Sequence, residues 1–205
     1  APTIATVLSD DSITVGDSVH DTATFTGYFA NAANGNGGTV TYTAYRNTAC
    51  SGTVEFTDTV DVDQVAGTIP NSASHVFNLA GTYNWQAVFN GDLNNEAATS
   101  PCNEPLTVNK AAPSIATVLS ASSITVGGSV HDTSTFTGYF ANAANGNGGT
   151  VTYTAYVGGS CSGTVEFTSV VDVDQVGGTI PNSAAHAFNL AGTYNWQAVF
   201  NGDLN

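Results

Sequence analysis

The sequence repeats itself at a fixed distance of 111 residues. Ala112-Pro113-Ser114-Ile115 matches Ala1-Pro2-Thr3-Ile4, and the register then holds without a gap to Asn205. Of the 94 position pairs that can be compared, 80 are identical. A period of this length is a whole domain and too long for one turn of a solenoid, so the expected organisation is a tandem of modules, 1–111 and 112–205. The second copy stops before any counterpart of residues 95–111. It is therefore expected to be incomplete, lacking its closing strand, and the sequence reads as a slice of a longer repetitive protein.

A module of this size can bury a real core. Apolar residues make up 41% of the chain, an ordinary share, but charged residues only 9%. The net charge is −14, and Arg46 and Lys110 are the sole basic side chains. Nucleic acids and anionic membranes need clustered Lys and Arg, so neither is an expected partner. No apolar run reaches the length of a membrane span. No signal peptide is present, which carries little weight because residue 1 already lies on a repeat boundary.

The period also explains an odd count of three cysteines. Cys50 and Cys161 are equivalent, while the counterpart of Cys102 falls beyond residue 205. Each complete module then has two cysteines, which points to a Cys50–Cys102 disulfide, the rival being a free buried thiol at each site. Closing so long a loop stabilises a fold by roughly 4 kcal/mol in the chain-entropy view. A disulfide framework implies an oxidising, extracellular setting. Cys161 is expected to be unpaired.

Helical periodicity is absent, and what recurs is alternation. Val40, Tyr42 and Ala44 share one face of a stretch whose other face is threonine. Val19 to Gly27 reads the same way, with Val19, Ala23 and Phe25 inward and His20, Thr22, Thr24 and Thr26 outward. Tyr83, Trp85, Ala87 and Phe89 form a third apolar face. Further strands are expected at Ile4–Leu8, Ser12–Val15, Thr53–Thr57, Val60–Val65, His75–Leu79 and Pro105–Val108. Asn34-Gly35-Asn36-Gly37-Gly38, Ser51-Gly52, Ala80-Gly81 and Asn90-Gly91-Asp92 punctuate them as turns. Many short half-polar strands in one domain predict an all-β fold, an antiparallel β-sandwich in each module. The junction Val108–Pro113 is short and ends in proline, which holds its predecessor extended. Modules joined this way are expected to stack as a semi-rigid rod, each adding on the order of 40 Å.

Gly38-Thr39-Val40-Thr41-Tyr42-Thr43-Ala44-Tyr45, then Ala80-Gly81-Thr82-Tyr83-Asn84-Trp85-Gln86-Ala87-Val88-Phe89-Asn90-Gly91-Asp92, then Leu106-Thr107-Val108, resembles the bacterial Ig-like repeat family of large surface proteins. In that family a "GTVTF" strand precedes an "AGTYxxxAxYxGD" strand and "LTV" closes the fold. The resemblance implies tandem immunoglobulin-like sandwiches in secreted, cell-surface arrays that serve as stalks, adhesins or matrix components. Two departures from antibody-type domains stand out. Trp85 lies on the penultimate strand, and a Cys50–Cys102 bridge would run from the end of the "GTVTY" strand to the start of the last strand. Tyr83, at the start of its strand, resembles a tyrosine corner.

Candidate chemistry is sparse. Asp61 and Asp63 share one strand face, and with Asp92 and Asn94 of the "NGDLN" turn they could offer the hard oxygen ligands Ca²⁺ prefers. Solvated faces and turns use the same residues, and no metal or other cofactor is favoured. His20-Asp21 and His75 lack the companions of a zinc site. No G-x-S-x-G elbow occurs, so catalysis is not expected. Lys110 alone cannot supply an isopeptide bond to each module, and no N-x-Ser/Thr sequon exists. The leading expectation is a structural, non-enzymatic shaft of a surface fibre, partnered by neighbouring repeats of the same chain or of identical subunits. An adhesin contacting a host or neighbouring-cell ligand is the alternative. The run Arg46-Asn47-Thr48-Ala49 against Val157-Gly158-Gly159-Ser160 is where the two copies differ most, and where ligand contact would be sought.

Overall fold

The computed structural model describes residues 1–30, 35–141 and 147–205, so Asn34 of the glycine-rich run lies outside the described residues. The chain forms two compact units, Ala1–Asn109 and Lys110–Asn205. Among the described residues every regular element is a strand, and no helix is long and apolar enough to cross a membrane.

In the first unit, β1 (Thr3–Leu8) pairs antiparallel with β4 (Asp21–Thr26), placing Ile4 opposite Phe25 and Leu8 opposite Asp21. A larger sheet runs β2 (Ser12–Thr14), β10 (Glu104–Asn109), β8 (Gly81–Phe89), β5 (Thr39–Tyr45), β6 (Val54–Asp61), with β9 (Ala98–Thr99) also on β8. All its pairings are antiparallel except β2 with β10, which is parallel. A two-residue pair, β3 (Ser18–Val19) with β7 (His75–Val76), completes the unit. Several antiparallel sheets around a shared core are consistent with a β-sandwich.

Alternation sets the core. Val40, Tyr42 and Ala44 of β5 meet Trp85, Ala87 and Phe89 of β8, and all six are fully buried. From the other layer come Ile4, Val19 and Ala23, also buried. Aromatic rings pack edge-on within the core, Phe77 against Tyr83 at 4.8 Å and Phe25 against Phe89 at 4.8 Å. The outward face is polar, with the Thr41 and Thr59 hydroxyls 3.0 Å apart across the β5–β6 pair.

Several expected strands change extent. Thr53–Thr57 and Val60–Val65 are one strand, β6, which ends at Asp61. It is an edge strand half open to water, so its central Asp58-Thr59 needs no turn to be accommodated. His75–Leu79 shrinks to His75–Val76 because its partner β3 offers only two residues. Val19–Gly27 is interrupted at His20.

The glycine run earns its composition by close approach. Gly38 has φ +77°, and a Cβ there would come within 2.5 Å of the Gly91 carbonyl oxygen. Its neighbour Gly37 would drive a Cβ into the Val62 carbonyl. Gly38→Ala is expected to destabilise the first unit by more than about 1 kcal/mol, since both the φ and the space exclude a side chain. An unchanged urea midpoint for this variant would show that the loop can yield.

The second unit repeats most of this. Strand β11 (Ser114–Leu119) pairs with β13 (Asp132–Thr137), β12 (Ser129–Val130) with β16 (His186–Ala187), and β15 (Val165–Asp172), β14 (Thr150–Val157) and β17 (Tyr194–Phe200) form a three-stranded sheet. No described strand lies on the outer edge of β17, and residues 123–125, equivalent to β2, are not in strand conformation.

Candidate functional site

Cys50, in the β5–β6 connection, is bridged to Cys102, just before β10, with Cα atoms 5.8 Å apart. Both β5 and β10 flank this end of β8, Ala44 and Glu104 each pairing with Trp85. The bridge thus ties two strands of the same sheet across the strand between them. The adjoining loop is braced from within. Arg46 Nε pairs with Glu55 Oε2, Asn47 Oδ1 accepts from the Ala49 amide at 2.8 Å, and Asn47 Nδ2 donates to the Ser51 carbonyl. Asn84 Nδ2 donates to the Thr48 carbonyl at 3.1 Å, anchoring the loop to β8. The equivalent loop of the second unit replaces these side chains with Val157, Gly158, Gly159 and Ser160, and Cys161 is a free, exposed thiol. An Arg–Glu pair with the arginine this open contributes little stability.

The proposed calcium ligands do not converge. Asp61 ends β6, and Asp63 lies beyond it, so the two do not share a strand face as expected. Asp63 instead caps a turn, Oδ1 accepting from the Val65 and Ala66 amides at 2.8 and 2.9 Å. Those two amides, Ala66 foremost, hold its carboxyl below the usual carboxylate range. Asp92 is engaged in the same way. Its Oδ1 accepts from the amides of Asn94 and Asn95, both at 2.8 Å, and Oδ2 accepts from the Tyr28 hydroxyl at 3.0 Å. The Asn95 side chain donates to both oxygens, at 2.9 and 3.0 Å. Desolvation pushes the Asp92 carboxyl up, but the Asn95 side chain, the Asn94 amide and the Tyr28 hydroxyl outweigh it, and the net shift is downward. Asn94 Nδ2 donates to the Ala30 carbonyl at 3.3 Å. Among the described residues no three His, Cys, Asp or Glu side chains stand together as a metal site.

The histidines are packed as aromatic rings. His75 stacks on Phe56 at 4.6 Å and meets Phe77 edge-on at 4.9 Å, with Nε2 3.3 Å from Glu55 Oε1. His186 repeats this with Phe167, Phe188 and Glu166. Tyr83 is buried and its hydroxyl donates to the Leu79 carbonyl, four residues upstream, at 2.7 Å.

The sequence reading passed over a buried acid. Alternation along β4 places Asp21 between Val19 and Ala23 on the inward face, and its side chain is fully buried. Its backbone exchanges two 2.9 Å hydrogen bonds with Ser72, the Asp21 amide donating to Ser72 Oγ and the Ser72 amide to the Asp21 carbonyl. Neither carboxyl oxygen has a hydrogen-bond partner. Desolvation first, and the nearby Glu104 carboxyl second, push its pKa up to about 8. The Thr22 and Val7 amides pull the other way, but neither reaches Asp21 with hydrogen-bond geometry. Glu104 is itself shifted upward, mainly by burial. In the second unit Asp132 is equally buried and also raised, desolvation leading. A group sealed this deeply cannot reach a solute, so the pair bears on stability.

No family description matches the chain, and no curated protein matches it in sequence. Among solved structures the chain is similar to that of the Yersinia pseudotuberculosis adhesin InvE, at 17% identity and a TM-score of 0.38, over 96% of this chain. The chain spans 58% of the length of that structure, and at this level of likeness nothing of the adhesin's role transfers to it.

Proposed function

We propose that the chain is a structural, non-enzymatic piece of an extracellular fibre, built from immunoglobulin-like repeats that form its shaft. One observation carries the reading: the two copies are identical at 80 of 94 positions, surface included. A site needed once would not require most turns and outward threonines to recur, whereas a shaft needs each segment to do the same work. The disulfide supports an oxidising location outside the cell. The Tyr83–Leu79 hydrogen bond supports the immunoglobulin-like reading. The shaft needs no cofactor in this reading, because the Asp63 and Asp92 carboxylates are spent on their own turns.

Antibodies against the Thr39–Tyr45 and Gly81–Asp92 segments should decorate surface filaments along their length when seen by electron microscopy. Labelling confined to filament tips, or found only inside cells, would refute the shaft. A second reading, an adhesin, is favoured by the loop of Arg46–Ala49, the longest consecutive run of differences between the copies. Exchanging Arg46–Ala49 for the residues of Val157–Ser160 should leave filament assembly and cell attachment unchanged for a shaft. Loss of attachment with assembly intact would establish the adhesin.

A further inference from the structure

Six Asn-Gly pairs occur in the chain, beginning at Asn34, Asn36 and Asn90 and at Asn145, Asn147 and Asn201. Asn-Gly is prone to self-attack, because glycine sets no side chain between its own backbone nitrogen and the asparagine amide carbon. Asn34 and Asn145 lie outside the described residues. The other four are held in two different ways. Asn36 Oδ1 accepts from the Gly38 amide at 2.8 Å, and Asn147 Oδ1 from the Gly149 amide at 2.8 Å. An asparagine bonded to the amide two residues on has its side chain folded forward, over the peptide between them. The donor also draws electron density from the amide carbon, as an oxyanion hole does, and so favours attack there.

Asn90 and Asn201 are turned another way. Asn90 directly follows β8, its backbone amide donating to the Thr39 carbonyl at 3.0 Å and its Nδ2 to the Thr39 hydroxyl at 2.8 Å. The Asn201 amide donates to the Thr150 carbonyl at 2.9 Å, and its Nδ2 to the hydroxyls of Thr150 and Thr152 at 2.8 and 2.9 Å. These bonds draw the side chains across to β5 and β14, away from the glycine that follows each, and a misplaced electrophile loses most of the benefit of proximity. Asn36 also lines an open groove of about 620 Å³ together with Asp61 and Asp63. Their carboxylates bring proton acceptors, and the open groove brings water, to the same place. The second unit has the same residues at Asn147, Asp172 and Asp174.

We propose that Asn36 and Asn147 are sites of self-modification, converting to aspartate and isoaspartate without an enzyme, while the threonine hydroxyls of β5 and β14 shield Asn90 and Asn201 from the same reaction. The Gly37 nitrogen bonds to Asn36 Cγ and the Cγ–Nδ2 bond breaks. Ammonia leaves, carrying the proton that the Gly37 nitrogen gives up. Water then opens the five-membered imide at one of its two carbonyl carbons. Cleavage of the new bond to Cγ gives aspartate. Cleavage at the former main-chain carbonyl gives isoaspartate, whose chain runs on through Cβ and Cγ. Either product adds a carboxylate to the groove of Asp61 and Asp63. Isoaspartate also lengthens the main chain just before Gly37, where a Cβ would already strike the Val62 carbonyl and lie 2.9 Å from the Gln64 amide nitrogen. The inference stands apart from the shaft reading, since an adhesin with these loops would age in the same way.

The test incubates the intact, oxidised chain at neutral pH and follows each asparagine by peptide mapping, with fragmentation that separates aspartate from isoaspartate. Asn36 and Asn147 should convert roughly tenfold faster than Asn90 and Asn201, or more. In urea all four are the same dipeptide in an unfolded chain, and their rates should draw together. Thr39→Val removes the hydroxyl and keeps the shape of the side chain. It should raise the rate at Asn90 toward that of Asn36 and leave Asn201 unchanged. Asn36 and Asn147 staying intact in the folded chain while they react in urea would overturn the sites. So would Asn90 reacting as fast as Asn36 in the folded parent. An Asn90 rate unmoved by Thr39→Val would overturn the shielding.

Discussion

Replacing both Cys50 and Cys102 with serine is expected to lower the unfolding free energy of the first unit by about 4 kcal/mol, leaving the second unit unmoved. The bridge spans 52 residues of sequence, and removing it frees the denatured chain from a loop of that size. The native state loses little in return, because both cysteines are only half-buried and the neighbouring loop retains its Asn84–Thr48 and Asn47–Ala49 hydrogen bonds. Each unit contains one tryptophan, Trp85 or Trp196, so the two urea transitions can be followed separately by removing one reporter at a time. Cys161 has no bridge to lose, which makes the second transition an internal control. A first-unit shift below about 1 kcal/mol would mean that the bridge is strained, or that the reduced chain keeps the loop closed.

The second large effect is one of pH. Asp21 is protonated in the folded unit up to about 8, against 3.8 for its ordinary value. A raised folded-state pKa means that stability is fully present below the ordinary value and is lost as pH rises through the folded one. One such group gives a slope of about 1.4 kcal/mol per pH unit between those limits, several kcal/mol in total. Glu104, facing Asp21 from β10 and shifted the same way, steepens it. Below pH 4 the sign reverses, because the depressed carboxyls of Asp63 and Asp92 lose their amide donors' support as they protonate. The first unit should therefore be most stable near pH 4 and weaken toward pH 8. Asp21→Asn should flatten that decline and raise the urea midpoint at pH 8 while changing little at pH 4. A variant that declines as steeply as the parent would remove Asp21 as the cause.

The sheet was legible where burial on one face imposes a period of two. Strands β5 and β8 are central, and the apolar residues alternate along Thr39–Tyr45 and along Tyr83–Phe89, so their apolar faces are unambiguous. Edge strands blur that signal: β6 faces water at Val54, Thr57 and Thr59, and its polar middle reads like a turn. Two-residue elements such as β9 are too short to show any period. The parallel β2–β10 pair joins opposite ends of the unit, and nothing local in Ser12–Thr14 announces its partner. Of the candidate site residues, the cysteines were legible because the repeat supplied their count. Asp21 was missed although the pattern contains it, because the inward face was built from the apolar residues Val19, Ala23 and Phe25 and the acid between them was given no face.

The β2–β10 pairing also orders events in time. Its parallel register places Ile13 beside Val108, so the first and last strands of the larger sheet of the unit are hydrogen-bonded neighbours. In the second unit no described strand borders the outer edge of β17, and residues 123–125, equivalent to β2, are not in strand conformation. A ribosome releases the chain from its N-terminus, and a nascent unit must therefore hold Ile13, Val15 and Tyr83 uncovered until nearly all of it has emerged. Closure of the first unit waits on its final ten residues, and that interval is when the nascent unit depends most on chaperones and on the timing of disulfide oxidation.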